Sequence, residues 1–305
     1  MKTKLLYGAV AVIVVTLLAV AGCSNPTGSE RRSGFLDQFA MASVPAGLFQ
    51  RDGVDDNNVT SVSAFSMSVY PITRAQFLDV MGTDPSDDTL STGTDDPVQM
   101  VNWYHAIAFC NKLSLAENKE LVYSVAVITD WGALAFGDIP VASDSDWNAA
   151  LMNMAANGYR LPTEAEWMWA AMGATEDAEP GAMQGGINRT GYRKPFAGYD
   201  GTNSIDQYAW YQDNSGGTTR PVGMKEANEL GLHDMSGNVY EWTWDWVAAY
   251  PAGVLVDYTG PDSSAFRVLR GGSWINDASW CTVAYRANHS PHYRYPFRGF
   301  RVVSR

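Results

Sequence analysis

Gly158-Tyr159-Arg160-Leu161-Pro162-Thr163-Glu164-Ala165-Glu166-Trp167 is the most informative stretch of this chain. Thr163 and Glu166 stand three residues apart, just ahead of an apolar run. At that spacing the hydroxyl and the carboxylate each satisfy an amide that the first turn of a helix leaves unpaired. The spacing predicts a helix from Glu164 to about Met172, with Trp167 and Ala171 turned inward and Gly173 as its stop.

The same reading extends outward. Residues 65–70 alternate as a strand, Pro71-Ile72-Thr73 ends it, and Thr73 is placed to cap a helix from Arg74 to Met81. Ala106, Ile107, Phe109, Cys110 and Leu113 recur at helical spacing behind Asn102, a capping residue, and predict a helix from Trp103 to Leu115. Residues 82–97 and 181–217 are rich in Gly, Asp, Asn and Ser and predict irregular structure. Residues 267–270 and 299–303 read as strands. Little of the chain is regular, so order must come from elsewhere. Eleven Trp and fifteen Tyr supply a large aromatic core and, in part, a binding face.

Apolar residues make up 46% of the 305 and charged residues 18%, a globular composition. The net charge of −12 argues against a nucleic-acid partner, because phosphate binding needs clustered Lys and Arg. Residues 267–305 run the other way, with seven Arg and one acid, Asp277. Those Arg suit either a basic ligand face or, the favoured reading, pairing with acids elsewhere in the fold.

Lys2 and Lys4 precede an apolar run ending in Val20-Ala21-Gly22-Cys23. This is the layout of a secretory signal, and its end resembles the bacterial lipobox. That resemblance implies cleavage before Cys23 and its lipidation, with residues 1–22 as signal peptide and 23–40 as a tether. A run of about 17 residues is at the short limit for a membrane span, which favours lipid anchoring over a transmembrane helix. Ser24-Asn25-Pro26-Thr27-Gly28-Ser29 suits a flexible spacer. The absence of Asp after Cys23 is compatible with an outer-membrane or cell-surface location. Cys110 and Cys281 are expected to be free thiols.

Five ordered segments share a further likeness. They are Phe65 to Thr73; Val101-Asn102-Trp103-Tyr104-His105-Ala106; Tyr159 to Trp167; Gly231-Leu232-His233-Asp234-Met235-Ser236-Gly237-Asn238-Val239-Tyr240-Glu241-Trp242; and Arg270-Gly271-Gly272-Ser273-Trp274 followed by Gly299-Phe300-Arg301. Together they resemble the formylglycine-generating enzyme (sulfatase-modifying factor) family over residues 41–305. The resemblance implies an α+β, C-type-lectin-like fold with long irregular insertions. Members of that family oxidise a substrate cysteine with a pair of copper-binding cysteines after the Arg-Gly-Gly-Ser-aromatic motif. Here those two places read Asn276 and Cys281, and Asn offers no thiolate for a soft Cu(I) ion. The family also binds calcium, at a segment matching Asp234, Gly237, Val239 and Glu241. Two carboxylates and two carbonyls suit Ca²⁺; the same side chains suit turn capping or pairing with Arg.

Residues 275–298 hold two of the four His, with Trp280, three Tyr and Phe297, and no Lys, Glu, Gln or Met. This segment, between framework-like flanks, resembles the diversified region of variable proteins of diversity-generating retroelements, treponemal surface lipoproteins among them. Adenine-templated Asn codons randomised there cannot encode those four absent residues, nor Trp, so Trp280 departs from the pattern and is either fixed or differently templated. Aromatic area beside small polar side chains is also what paratopes use. The expected ligand-facing residues are Asn276, Asp277, Ser279, Trp280, Tyr285, Asn288, His289, His292, Tyr293, Tyr295 and Phe297. Arg286, Arg294 and Arg298 are expected to brace the scaffold. The implied function is a non-catalytic receptor for a protein or other surface ligand, requiring no cofactor. The alternative is a periplasmic oxidase or enzyme-maturation accessory of the same family.

Overall fold

The computed structural model describes residues 39–305. The lipobox cysteine Cys23, the signal peptide and nearly all of the tether lie outside the described residues. The domain begins slightly earlier than residue 41. The Phe39 ring meets Tyr159 edge-on, and the Ala40 carbonyl accepts from the Val69 amide.

The first four strands are β1 (Met41–Val44), β2 (Gly47–Gln50), β3 (Val59–Val62) and β4 (Phe65–Ser68). β4 ends two residues before the predicted limit. β1 pairs antiparallel with β4, and β2 with β3. Three helices follow: α1 (Arg74–Met81), α2 (Trp103–Ala116) and α3 (Glu164–Ala171). Each starts at the capping residue its sequence names. Thr73, Asn102 and Thr163 all accept from the amide three residues on, and Gln76, His105 and Glu166 return the bond. Each cap is worth about 1 kcal/mol. α2 buries eleven of its fourteen residues, so it is a core helix rather than a surface one.

Five strands complete the frame: β5 (Tyr240–Trp246), β6 (Arg267–Arg270), β7 (Arg286–His289), β8 (Arg298–Gly299) and β9 (Val303–Ser304). The predicted strand at 299–303 is thus split in two. β5, the longest, was not legible in the sequence. It lies between β6 and β8, and β7 covers the far side of β6, giving the order β7-β6-β5-β8. β9 pairs with β4, so the start and the end of the domain share one three-stranded sheet. The long 181–217 stretch is irregular apart from a short hairpin, Met183–Gln184 with Ile187–Asn188, and one helical turn, Ile205–Tyr208.

The faces of β5 explain its sequence, since alternate side chains point to opposite sides. Trp242, Trp244 and Trp246 alternate with Glu241, Thr243 and Asp245. On the tryptophan side the buried Arg267 guanidinium lies 3.7 Å from the Trp103 ring centre and 3.6 Å from that of Trp246. A desolvated cation on ring faces gains about 2 kcal/mol. On the other side Glu241 binds Arg301 through both oxygens, at 2.7 and 2.8 Å, and accepts from Trp167 Nε1 at 2.7 Å.

Candidate functional site: an exposed aromatic face on a main-chain clamp

The segment 275–298 leaves β6 through Gly271 and Gly272, both at positive φ. A Cβ on Gly272 would stand 2.7 Å from the Cys281 sulfur and from the Trp280 carbonyl, so the turn needs glycine there. The chain then makes a short helical turn, Ala278–Trp280, capped by Asp277 onto Ser279. It returns as β7 and crosses back through residues 290–297.

None of the eleven expected ligand-facing residues is buried. Asp277, Ser279, Trp280, Asn288 and Tyr293 are exposed; Asn276, Tyr285, His289, His292, Tyr295 and Phe297 are half-buried. Trp280 is 41% and Tyr293 46% exposed, high for rings of that size. The rings form two groups. Trp280 leans on Tyr285 with centroids 4.9 Å apart. His289, His292, Tyr293, Tyr295 and Phe297 form a continuous second group, linked by contacts of 4.4 to 5.5 Å. Burial and the neighbouring Arg298 charge push the His289 pKa down. An apolar cleft of about 280 Å³, lined by Pro195, Phe196, Ile205, Ala278, Ser279 and Thr282, adjoins the first group.

What holds the segment is main chain. Gln212 N donates to Asn276 O, Ser236 Oγ to Cys281 O, and Arg270 to the carbonyls of Val283, Ala284 and Tyr285. Trp103 N donates to Pro291 O, Asn102 Nδ2 to His292 O, and Met100 N to Tyr295 O. Trp274 Nε1 donates to Pro296 O and Tyr240 N to Phe297 O. Each of these framework donors ends on a carbonyl that any residue type carries. Among the expected ligand-facing residues, side chains tied to the framework include Asn276, whose Oδ1 accepts from Ser273 Oγ at 2.5 Å, and Tyr295 and Phe297, whose rings lie under the Arg298 guanidinium. Sequence reasoning missed this clamp. Asn102 reads as a helix cap, and nothing in its surroundings signals that its amide also reaches Pro140 and His292.

The arginines of residues 267–305 divide. Arg286 forms a two-pronged pair with Glu164, both contacts 2.6 Å, and Arg301 pairs with Glu241. Arg267 and Arg298 correct the expectation of acid partners. Both are buried on aromatic rings, Arg298 4.2 Å above Tyr295, and burial lowers the Arg298 pKa to about 10. Arg294 is half-buried and makes no ion pair among the described residues.

Of the four positions matched to a calcium site, both carboxylates already have protein partners. Glu241 has both oxygens on the Arg301 guanidinium and the Trp167 indole, so a cation is already there. The Asp234 carboxylate accepts from Gly223 N and Asn238 Nδ2, and burial raises its pKa. Gly237 and Val239 are buried; a Cβ on Gly237 would strike the Trp210 carbonyl at 2.3 Å. The thiols of Cys110 and Cys281 are free and buried, as expected. Burial, with Asp277 beside it, pushes the Cys281 pKa up to about 12. Cys281 packs with Ala209 and Tyr211, while Cys110 sits in α2 with Arg160 and Tyr123 as its charged and polar neighbours. The residues present therefore do not make the two-thiolate copper site of the family's enzymes.

A model of the sulfatase-modifying factor enzyme 1-like domain matches residues 30–305, and the chain belongs to that family. Its fold is the C-type-lectin-like one of the formylglycine-generating-enzyme type. Within that class it is similar to Treponema denticola variable protein 1, with a TM-score of 0.77 at 38% identity, covering 88% of this chain and 95% of that one. It is 31% identical to the chaperone protein LppX of Paenibacillus barcinonensis, over 95% of this chain and 97% of that protein. The formylglycine-generating enzyme of Thermomonospora curvata is 33% identical, over 87% and 93% of the two chains.

Proposed function

We propose that this protein is a non-catalytic receptor of variable specificity, which binds a protein or other surface ligand through residues 276–297 and is displayed on the cell envelope by lipid at Cys23. One observation carries the reading: the framework grips this segment by its carbonyls and leaves most of its side chains free. A surface whose sequence varies needs that arrangement, because replacing most of these side chains then leaves the framework's bonds to the backbone in place; the cap of Asp277 on Ser279 N is the exception. The similarity to a variable protein supports a binding role. Asn276 in place of a thiol and the buried, poorly acidic Cys281 weigh against the oxidase alternative.

The test is a library randomised at Asp277, Ser279, Trp280, Tyr285, Asn288, His289, His292, Tyr293, Tyr295 and Phe297 together, displayed on phage or yeast. Most members should still melt cooperatively, because the framework's bonds to the segment end on carbonyls, although ten changes at up to about 0.5 kcal/mol each add up to a lower melting temperature than the parent's. Selection against a protein foreign to the parent should yield binders. A library that is largely unfolded would sink the proposal. A near-copy of the final coding segment beside a reverse transcriptase gene, differing mainly at adenines, would support it independently.

A further inference from the structure

We infer that a second site, sharing no residue with the aromatic face, takes an oxyanion: the carboxylate or phosphate of a small molecule or of a lipid head group. An open cavity of about 320 Å³ is lined by Gln50, Asp56, Gln184, Arg189, Tyr192 and Arg193. Every one of these side chains carries a hydrogen-bonding group, and two are guanidiniums, in a chain whose net charge is −12.

Arg189 is the centre of the site. It follows the strand Ile187–Asn188, and its amide donates to the Ala182 carbonyl, so its backbone is fixed. Its Nη1 donates to Gln50 Oε1 at 2.7 Å. The highly exposed Asp56 makes a long ion pair with the same Nη1 at 3.8 Å and also accepts from Gln50 Nε2. The Gln50 amide and Asp56 both engage Nη1, and the guanidinium keeps Nε–H and Nη2–H groups without a protein acceptor among the described residues. That leaves a planar donor fork, the shape that matches a carboxylate or phosphate edge. Arg193 contributes a second guanidinium, held through one nitrogen by Glu179. The Tyr192 ring is seated over Gly53, where an added Cβ would come within 3.1 Å of it. Its hydroxyl, and the second N–H of the Gln184 amide, whose first donates to Gly181 O at 2.9 Å, complete a wall able to bond the remaining polar atoms of such a ligand.

Inorganic phosphate is the probe for the soluble source, titrated by calorimetry and thermal shift against chloride at equal ionic strength. Vesicles of phosphatidylglycerol, compared with phosphatidylcholine, probe the head-group source by co-sedimentation. Saturable phosphate binding is expected, weakened about tenfold or more in Arg189→Gln and less in Arg189→Lys, which keeps the charge but loses the fork. The melting temperature of each variant in chloride reports folding separately. Arg189-dependent binding to phosphatidylglycerol, displaced by phosphate, assigns a head group; phosphate binding without vesicle binding assigns a soluble anion. Neither probe binding saturably, or Arg189→Gln binding like the parent while folded, overturns the inference. Trp280→Ala and Tyr293→Ala should bind phosphate normally, so this outcome is independent of the receptor proposal.

Discussion

At the scale of single residues, His105 shows how far burial moves a charge. Its ring is fully buried, stacked on Phe136, with Nδ1 accepting from the Asn102 amide. Desolvation, with the Arg294 charge second, lowers its pKa to about 3. The unfolded chain takes up a proton near pH 6.5 that the folded chain refuses. Stability from neutral His105 is thus complete above that pH and is lost as pH falls from there towards 3, at about 1.4 kcal/mol per pH unit. Asp234 and Asp245, whose pKa values burial raises, act in the opposite sense. The comparison of parent with His105→Gln cancels them. The stability advantage of the parent, from urea unfolding, should shrink steadily between pH 6.5 and 4. A gap independent of pH would mean that the imidazole is protonated in the native protein. Residue identities of this kind are visible in sequence; their protonation is not, because it depends on what covers them.

At the scale of elements, α3 links the legible part of the fold to the candidate face. Its capping box, Thr163 with Glu166, was readable because both partners lie within one turn. Glu164, beside the cap, is buried and holds Arg286 of β7 with two bonds, with Arg270 of β6 3.7 Å away. Arg286→Ala would leave a buried carboxylate without its close cation and should cost about 3 kcal/mol, since breaking a buried pair is far more costly than losing a surface one. Urea midpoints measure this, and a loss below about 0.5 kcal/mol would mean that β7 is positioned by its strand pairing alone. The helices were legible because i, i+3 relations fix them. β5 was not, because its alternation of Trp with acids makes sense only once Arg267, Arg301 and α3 are placed on its two faces.

At the scale of the whole molecule, the end of the chain closes the fold. β9 pairs with β4, which also pairs β1, and Arg301 ties Glu241 to the carbonyls of Ser68 and His233. Removing residues 300–305 should therefore abolish cooperative unfolding and flatten the near-ultraviolet circular dichroism, although six residues of 305 are lost. A truncated protein with a sharp melt would show that β1 and β4 suffice. The candidate segment lies just upstream of this closure, so it is a loop held at both ends by core strands.

The sequence by itself determined the local grammar: three capped helices, the strand Arg267–Arg270, the ordered motifs of the family and the two cysteine-site positions that read Asn276 and Cys281. It also named the eleven side chains that prove not to be buried. Only the tertiary structure decided that Arg267 and Arg298 rest on rings rather than acids, that Arg301 pairs with Glu241, and that the framework grips the segment by its carbonyls. The reason is range. Caps and periodicities arise between residues a few positions apart, whereas the charge, exposure and support of a side chain are set by groups far away in sequence that meet only when the chain has folded.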